Sequence, residues 1–409
     1  MTSSAKFSHR CIGCGREHAD ALSPFCPCGH FIDIVYDLSR AALHPSANPY
    51  ERFFDLLPIR DRASLPATSH PATPCPRAAA LGRRLGLAHL YLKNETVLPT
   101  GSTKDRMAIA ALSYFREMGV RRFCAASTGN TSTAFAHWVE QWPDLDVVLF
   151  CAEDFLDRLQ VRPGNQRVTV YALRDASFVE ACDAARQFAE ENGLLGERGF
   201  FNPARREGLK LAYLEATDTI PTPVDWYVQA VSSAMGVYGT WKGARELMAL
   251  KKTDRLPRPL CVQQESNRPM VASYEAGSPS LRKQDIVSRP RGIAKAILRG
   301  DPSRVYPYMR SIVQETGGTL LSVSEQEIRD ARAIMEDLEG ISICFNAAAA
   351  VAGLIRCARD GRIGRDDTVM VNLTGRDREP IPPAQVTWLR RSASGWEPES
   401  SPHIAEPAG

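Results

Sequence analysis

Nothing in this chain is apolar for long enough to cross a bilayer. The longest such run, Ile341 to Ile355, is interrupted by Asn346 and closed by Arg356. It falls short of the roughly 20 residues that a spanning helix needs. The opening segment, MTSSAKFSHR, lacks the apolar core of a secretory signal. An excess of one charge is also missing. Fifty Lys and Arg stand against 47 Asp and Glu, a formal balance of +3, too small to draw nucleic acid or a membrane surface. No internal repeat is present. These absences point to a cytoplasmic protein with a small-molecule partner. In that compartment the 11 cysteines are expected as thiols or metal ligands rather than disulfides.

What is there is organised. At 409 residues the chain exceeds what one core usually serves, so two domains and a small appendage are expected. The first 45 residues are short, polar and cysteine-punctuated, ending in the strand-like FIDIVYDL. Beyond a Pro- and Ala-rich connector, strands and helices alternate. LAHLYLKNE, RRFCAAS, VVLFCA, VTVYAL, WYVQAV, LCVQQE and TVMVNL read as strands. Between them lie helical patterns, two of them opened by the capping boxes Ser177/Glu180 and Ser324/Glu327. Strands separated by helices predict an α/β fold of doubly wound parallel sheets. The tail, SASGWEPESSPHIAEPAG, reads as disordered over 392–409.

Four strand-to-helix junctions carry chemistry-bearing residues. PTGSTKDR (Pro99 to Arg106) sets Lys104 at a helix start beyond a strand's carboxyl end, where ligand crevices form. Helix dipole and desolvation there both favour the neutral amine that covalent catalysis needs. STGNTS (Ser127 to Ser132) gathers hydroxyls and amides at another helix start, a cup for a carboxylate. VSSAMGVYG (Val231 to Gly239) could wrap a phosphate in backbone amides. TVMVNLTG ends a strand on Thr374. Singly, each also fits an ordinary cap or tight turn; a surface lysine is the default for Lys104.

Together, in this order, they resemble the fold-type II pyridoxal-phosphate enzymes, specifically their threonine-synthase-like branch, over about residues 8 to 380. TPC at Thr73 to Cys75, LYLKNE with LPTGSTKDR, ASTGNTS, and NPARREGLK at Asn202 to Lys210 carry the likeness. The resemblance implies that Lys104 binds the cofactor as a Schiff base and shuttles protons, and that Asn130 contacts its ring hydroxyl. It implies that Ser127, Thr128 and Thr131 hold the substrate carboxylate. Ser232, Ser233, Ala234, Met235 and Gly236 would cradle the cofactor phosphate, and Thr374 would face the pyridine nitrogen. It also implies a homodimer acting on an activated amino acid by β/γ replacement or elimination, as a lyase or transferase. The cofactor would lie in a cleft between a large domain (46–108 and 206–391) and a small mobile one (109–205).

CIGC and CPC place Cys11, Cys14, Cys26 and Cys28 as four thiols, suited to a closed, structural zinc site. The run CIGCG...CPCGHFIDIVYDL resembles the N-terminal module of threonine-synthase-like proteins, so 1–45 is expected to be zinc-ribbon-like.

The sequence also departs from the pattern. Leu98 and Thr103 stand where threonine synthases usually have Asn and Phe, and Gly199 and Phe200 stand where an Asn and a Ser contact substrate phosphate. The serine-rich cup and the Arg205-Arg206 pair resemble cysteate synthase, which uses O-phosphoserine and sulfite. Arg106 and Arg205 would then supply the cationic pocket. A catalytically silent, amino-acid-binding relative is the remaining alternative.

Overall fold

The computed structural model describes residues 6–19, 22–67, 72–393 and 395–399. The chain divides into two compact units, Met1–Gly119 with Arg198–Arg378, and Val120–Glu197 with Glu379–Gly409.

The first unit opens with β1 (Phe7–Cys11), β2 (Glu17–His18) and β3 (Ile32–Tyr36), an antiparallel sheet in the order β2-β1-β3. After β4 (His89–Asn94) the chain enters the Lys104–Glu117 helix. The second unit then contributes β5 (Arg122–Ala126), β6 (Asp146–Ala152), β7 (Val168–Leu173) and β8 (Leu195–Gly196). Back in the first unit run β9 (Trp226–Ala230), β10 (Arg258–Gln264), β11 (Thr319–Val323) and β12 (Thr368–Leu373). They join β4 in a parallel sheet ordered β11-β10-β9-β12-β4. All six residues of β12, TVMVNL, are buried, as a strand covered on both faces requires. The Ala-rich Phe345–Arg359 helix packs against this sheet, its run Asn346 to Leu354 buried throughout.

The chain ends in β13 (Thr387–Ser392) and β14 (Gly395–Pro398). They complete the second unit's sheet, ordered β14-β13-β7-β6-β5-β8. Here the structure corrects the expected boundaries. Residues 379–393 and 395–399 belong with the second unit, and 395–398, expected to be disordered, form a strand paired with β13. The guanidinium of Arg174 lies 3.5 Å over the Trp388 ring and pairs with Glu399 at 3.5 Å. Only Leu389 of β13 is buried, so the segment shows no apolar run to mark it as a strand. Residues 400–409 of the expected tail lie outside the described residues. The second unit also spans less than 109–205. The Lys104–Glu117 helix and the segment from Arg198 both belong to the first unit.

Candidate active site

The Lys104 loop is fastened from three sides. Asp105 accepts from the Thr100 backbone N–H and hydroxyl, both at 2.8 Å. Ser102 bridges to Gly375, and the Thr103 N–H donates to the Thr374 carbonyl at 2.9 Å. β4 and β12 pair in parallel as far as Leu373 opposite Asn94, so Lys104 and Thr374 emerge together beyond adjacent carboxyl ends. Lys104 itself is half-buried. Burial, with the positive charge of Arg205 behind it, brings its amine down to about 8. A useful fraction is then neutral near physiological pH.

The next strand, β9, delivers the Ser232–Gly236 turn to the same edge. Ala234 there is left-handed, at φ 55° and ψ 26°, and caps the 15-residue helix Met235–Ala249. The first amides of a helix have no carbonyl within it to bond, which suits them to an anion. Gly236 allows close approach: a Cβ would lie 2.6 Å from Oε1 of Gln229, whose amide would have to move. That amide oxygen accepts the Tyr227 hydroxyl at 2.5 Å, while Asn372 donates to the Tyr227 oxygen at 2.9 Å. The cup is thus braced against the strand that carries Thr374.

Not all expected ligands face this edge. Arg106, cast as a substrate contact, is fully buried. It donates to Glu95 at 2.6 and 3.0 Å, to Thr73 at 2.9 Å and to Glu215 at 2.6 Å. Its Nε and Nη2 are committed to a structural ion-pair cluster that also contains Lys93, 2.9 Å from Glu215, while Nη1 is buried without a hydrogen-bond partner among the described residues. Arg205 is the cation whose field reaches Lys104. It stands near the start of the Pro203–Ala216 helix, whose N-cap Asn202 accepts the Ala204 N–H at 3.0 Å.

In the second unit, Ser127 to Thr131 form a loop between β5 and the Asn130–Trp138 helix. Gly129 has φ 115°, and a Cβ there would lie 2.6 Å from that of Arg158; only glycine fits. The Ser127 hydroxyl accepts the amides of Gly129 and Ser132, each at 3.0 Å, and shares a 2.9 Å bond with the Ser132 hydroxyl. Both lone pairs and the proton are spent. Ser127 therefore shapes the loop, and its hydroxyl has no proton left to offer a carboxylate.

Residues 68–375 match the family described as pyridoxal-phosphate dependent enzyme. The chain belongs to that family. It is 29% identical over 382 residues to the threonine synthase of Methanocaldococcus jannaschii, covering 90% of this chain and 91% of that one. It is 28% identical over 390 residues to the cysteate synthase of Methanosarcina acetivorans, covering 90% and 92%. Among solved structures, the processed form of threonine deaminase isoform 2 from Solanum lycopersicum superposes with TM-score 0.62 at 18% identity, over 76% of this chain and 85% of that one. The fold is therefore the two-sheet fold of type II, as expected.

As a pyridoxal-phosphate dependent enzyme, the chain has residues that fit the cofactor. They offer an amine depressed toward neutrality, a helix-start cup flanked by the half-buried Ser232 and Ser233, and a hydroxyl rather than a carboxylate at Thr374.

Away from this edge, the sulfurs of Cys11, Cys14, Cys26 and Cys28 all lie within 4.8 Å of one another. Cys11 to Cys28 is 3.3 Å and Cys14 to Cys26 is 3.7 Å. A tetrahedral zinc with bonds of about 2.3 Å spaces its sulfurs ~3.8 Å apart. The amides of Gly13 and Cys14 point at the Cys11 sulfur, at 3.4 and 3.5 Å. Among the described residues, no helix is long and apolar enough to cross a membrane.

Proposed function

We propose that this enzyme carries out β or γ replacement, or elimination, on an amino acid whose side chain bears an anionic leaving group of the O-phospho type. The observation that carries this reading is the environment of Lys104: a half-buried amine that burial brings down to about 8, with the positive charge of the buried Arg205 lowering it further. Pyridoxal phosphate, when bound, supplies the electron sink that makes the substrate's α proton removable. Lys104 Nζ would take that proton and return it to the α carbon once a nucleophile has added at the β carbon, or move protons at the α and β carbons in elimination and γ replacement. Arg205 attracts the departing anion. Thr128 and Thr131 hold the substrate carboxylate, and Asn130 orients the ring hydroxyl. The Ser232–Gly236 cup binds the phosphate. Thr374 presents a neutral partner to the pyridine nitrogen, which moderates the sink and suits elimination and replacement over transamination. The likeness to a cysteate synthase supports a sibling reading, O-phosphoserine with sulfite as the incoming nucleophile. The four cysteines would bind one structural zinc, and the enzyme would work as a cytoplasmic homodimer.

The test is the visible spectrum of purified protein beside Lys104→Ala, before and after borohydride. We expect a yellow wild type that bleaches with the cofactor trapped on Lys104. O-phosphoserine should shift the spectrum and release phosphate, whereas O-acetylserine should do so poorly. A colourless protein that added pyridoxal phosphate cannot reconstitute would end this reading.

A further inference from the structure

Two helices that carry candidate-site residues, Pro203–Ala216 and Met235–Ala249, are tied to one carboxylate in the cysteine module. Asp33, in β3, accepts Arg206 at 2.8 Å on one oxygen and the Tyr238 hydroxyl at 2.9 Å on the other. Lys242 lies 3.2 Å from that second oxygen. Arg206 directly follows Arg205. Tyr238 comes two residues after Gly236, the end of the phosphate cup. Where these residues meet, the two helices touch through backbone: a Cβ on Gly239 would lie 2.6 Å from the Arg206 carbonyl. A carboxylate bonded to both at this crossing fixes the distance between Arg205 and the cup.

The ring of Phe31 backs the same junction. It packs edge-on against Phe200 and Tyr238, both at 5.7 Å, and carries the Arg206 guanidinium 4.6 Å above it. Residues 30–32 are in turn hydrogen-bonded to the cysteine turns. The Cys26 N–H donates to His30, Ile12 to Phe31, and Ile32 to Pro24, at 2.9, 3.2 and 3.1 Å. Buried ion pairs add little net stability, but losing one partner is costly and their geometry is specific. Such a group is suited to setting a register.

We infer that Asp33 is a positioning residue for the active site, through which the cysteine module fixes the cofactor cup relative to Arg205. This rests on the cofactor reading above. It goes beyond that reading by giving the N-terminal module a part in cofactor binding rather than in stability alone.

The experiment compares full-length wild type, Asp33→Asn and Tyr238→Phe at a temperature where each is folded. It measures the dissociation constant for pyridoxal phosphate, the visible circular dichroism of the bound cofactor, and Tm. Loss of a charge-assisted bond should raise the dissociation constant about tenfold in Asp33→Asn, and loss of one hydroxyl about threefold in Tyr238→Phe. The dichroic band should shrink in both. A lower Tm with unchanged affinity and dichroism would show that the group only stabilises, and would overturn the inference. If Asp33→Asn does not fold, Tyr238→Phe decides alone. A wild type that binds no cofactor would remove the enzyme reading first, and this inference with it.

Discussion

Replacing Arg106 by Met separates the strut from the substrate ligand that the sequence suggested. The side chain is fully buried and makes four hydrogen bonds to Glu95, Thr73 and Glu215. Without it, two buried carboxylates share Lys93 alone. Removing one partner of such a pair costs about 3–5 kcal/mol, enough to lower a urea midpoint measurably even at the steep slope of a chain this long. The loss should depend on pH. Burial pushes the Glu95 carboxyl up, but Arg106 and Lys93 overcome this and hold it at about 2. The native protein therefore gains stability above the unfolded carboxyl range, and loses it as pH falls from about 5 toward 2. In Arg106→Met the main offset to burial is gone and only Lys93 and Thr73 remain, so Glu95 should tend to bind a proton on folding and the variant should weaken as pH rises. The gap between the two proteins should be widest near pH 8 and narrow toward pH 5. Adding Glu95→Gln should recover roughly 1–2 kcal/mol. Urea melts at both pH values give all three numbers. A variant with native stability but a collapsed kcat/KM would refute this account and restore Arg106 as a ligand.

Four further outcomes follow from local geometry and electrostatics. Ala234→Gly removes a Cβ from a left-handed residue at φ 55° and should stabilise the protein by about 1 kcal/mol in thermal melts; a destabilised variant would mean the alanine methyl packs usefully. Attachment of pyridoxal phosphate to apoenzyme, followed by stopped-flow absorbance, should accelerate about tenfold per pH unit up to about 8, where Lys104 titrates, then level off. A profile still climbing past pH 10 would place the amine at its ordinary value. The same depressed lysine makes the apoenzyme gain stability as pH rises above about 8 toward the unfolded value. Zinc should copurify at about one per chain and fall to background in Cys26→Ser, with a lower Tm; equal metal in both proteins would dismiss the four-thiolate site.

Much of this was legible in the sequence, and the gaps share a cause. The strands of both parallel sheets that line the core could be found because each is a nearly continuous apolar run, as in VVLFCA and TVMVNL. Both capping boxes formed as the Ser and Glu spacing predicted. The five-residue strand Thr319–Val323, TLLSV, was missed because it is brief and abuts two glycines. The final hairpin was missed because only one residue of Thr387–Ser392 is buried. Site residues followed a similar rule. Lys104 and the Ser232–Gly236 turn fall at strand-helix junctions, where local order places them. Lys104 and Arg106 look alike in PTGSTKDR. What distinguishes them is Glu215, 109 positions away, and no spacing rule reaches that far. Ser127 illustrates the same limit within six residues, since its hydroxyl closes on Ser132 instead of pointing out of the loop.

Phe200 shows how a departure from a family's pattern can be misread. Against threonine synthases it stands in place of a polar phosphate contact, which would weaken the binding of a phosphorylated substrate. In the structure the ring is 2% exposed and packs edge-on on Phe31, Phe201 and Tyr238 at 5.7, 5.4 and 5.6 Å. Its backbone carbonyl also accepts the Arg206 guanidinium. The residue belongs to the junction beneath the cysteine module, so the substitution reports on how that module is seated. Phe200→Ser should therefore not create a phosphate contact. It should open a cavity, leave a hydroxyl among aromatic rings, and cost about 3–5 kcal/mol. Affinity for O-phosphohomoserine, followed by spectral titration of the holoenzyme, should not improve, and urea melts should show the loss. Tighter binding of O-phosphohomoserine with little change in stability would mean that position 200 faces the substrate, and that the aromatic ring was excluding it.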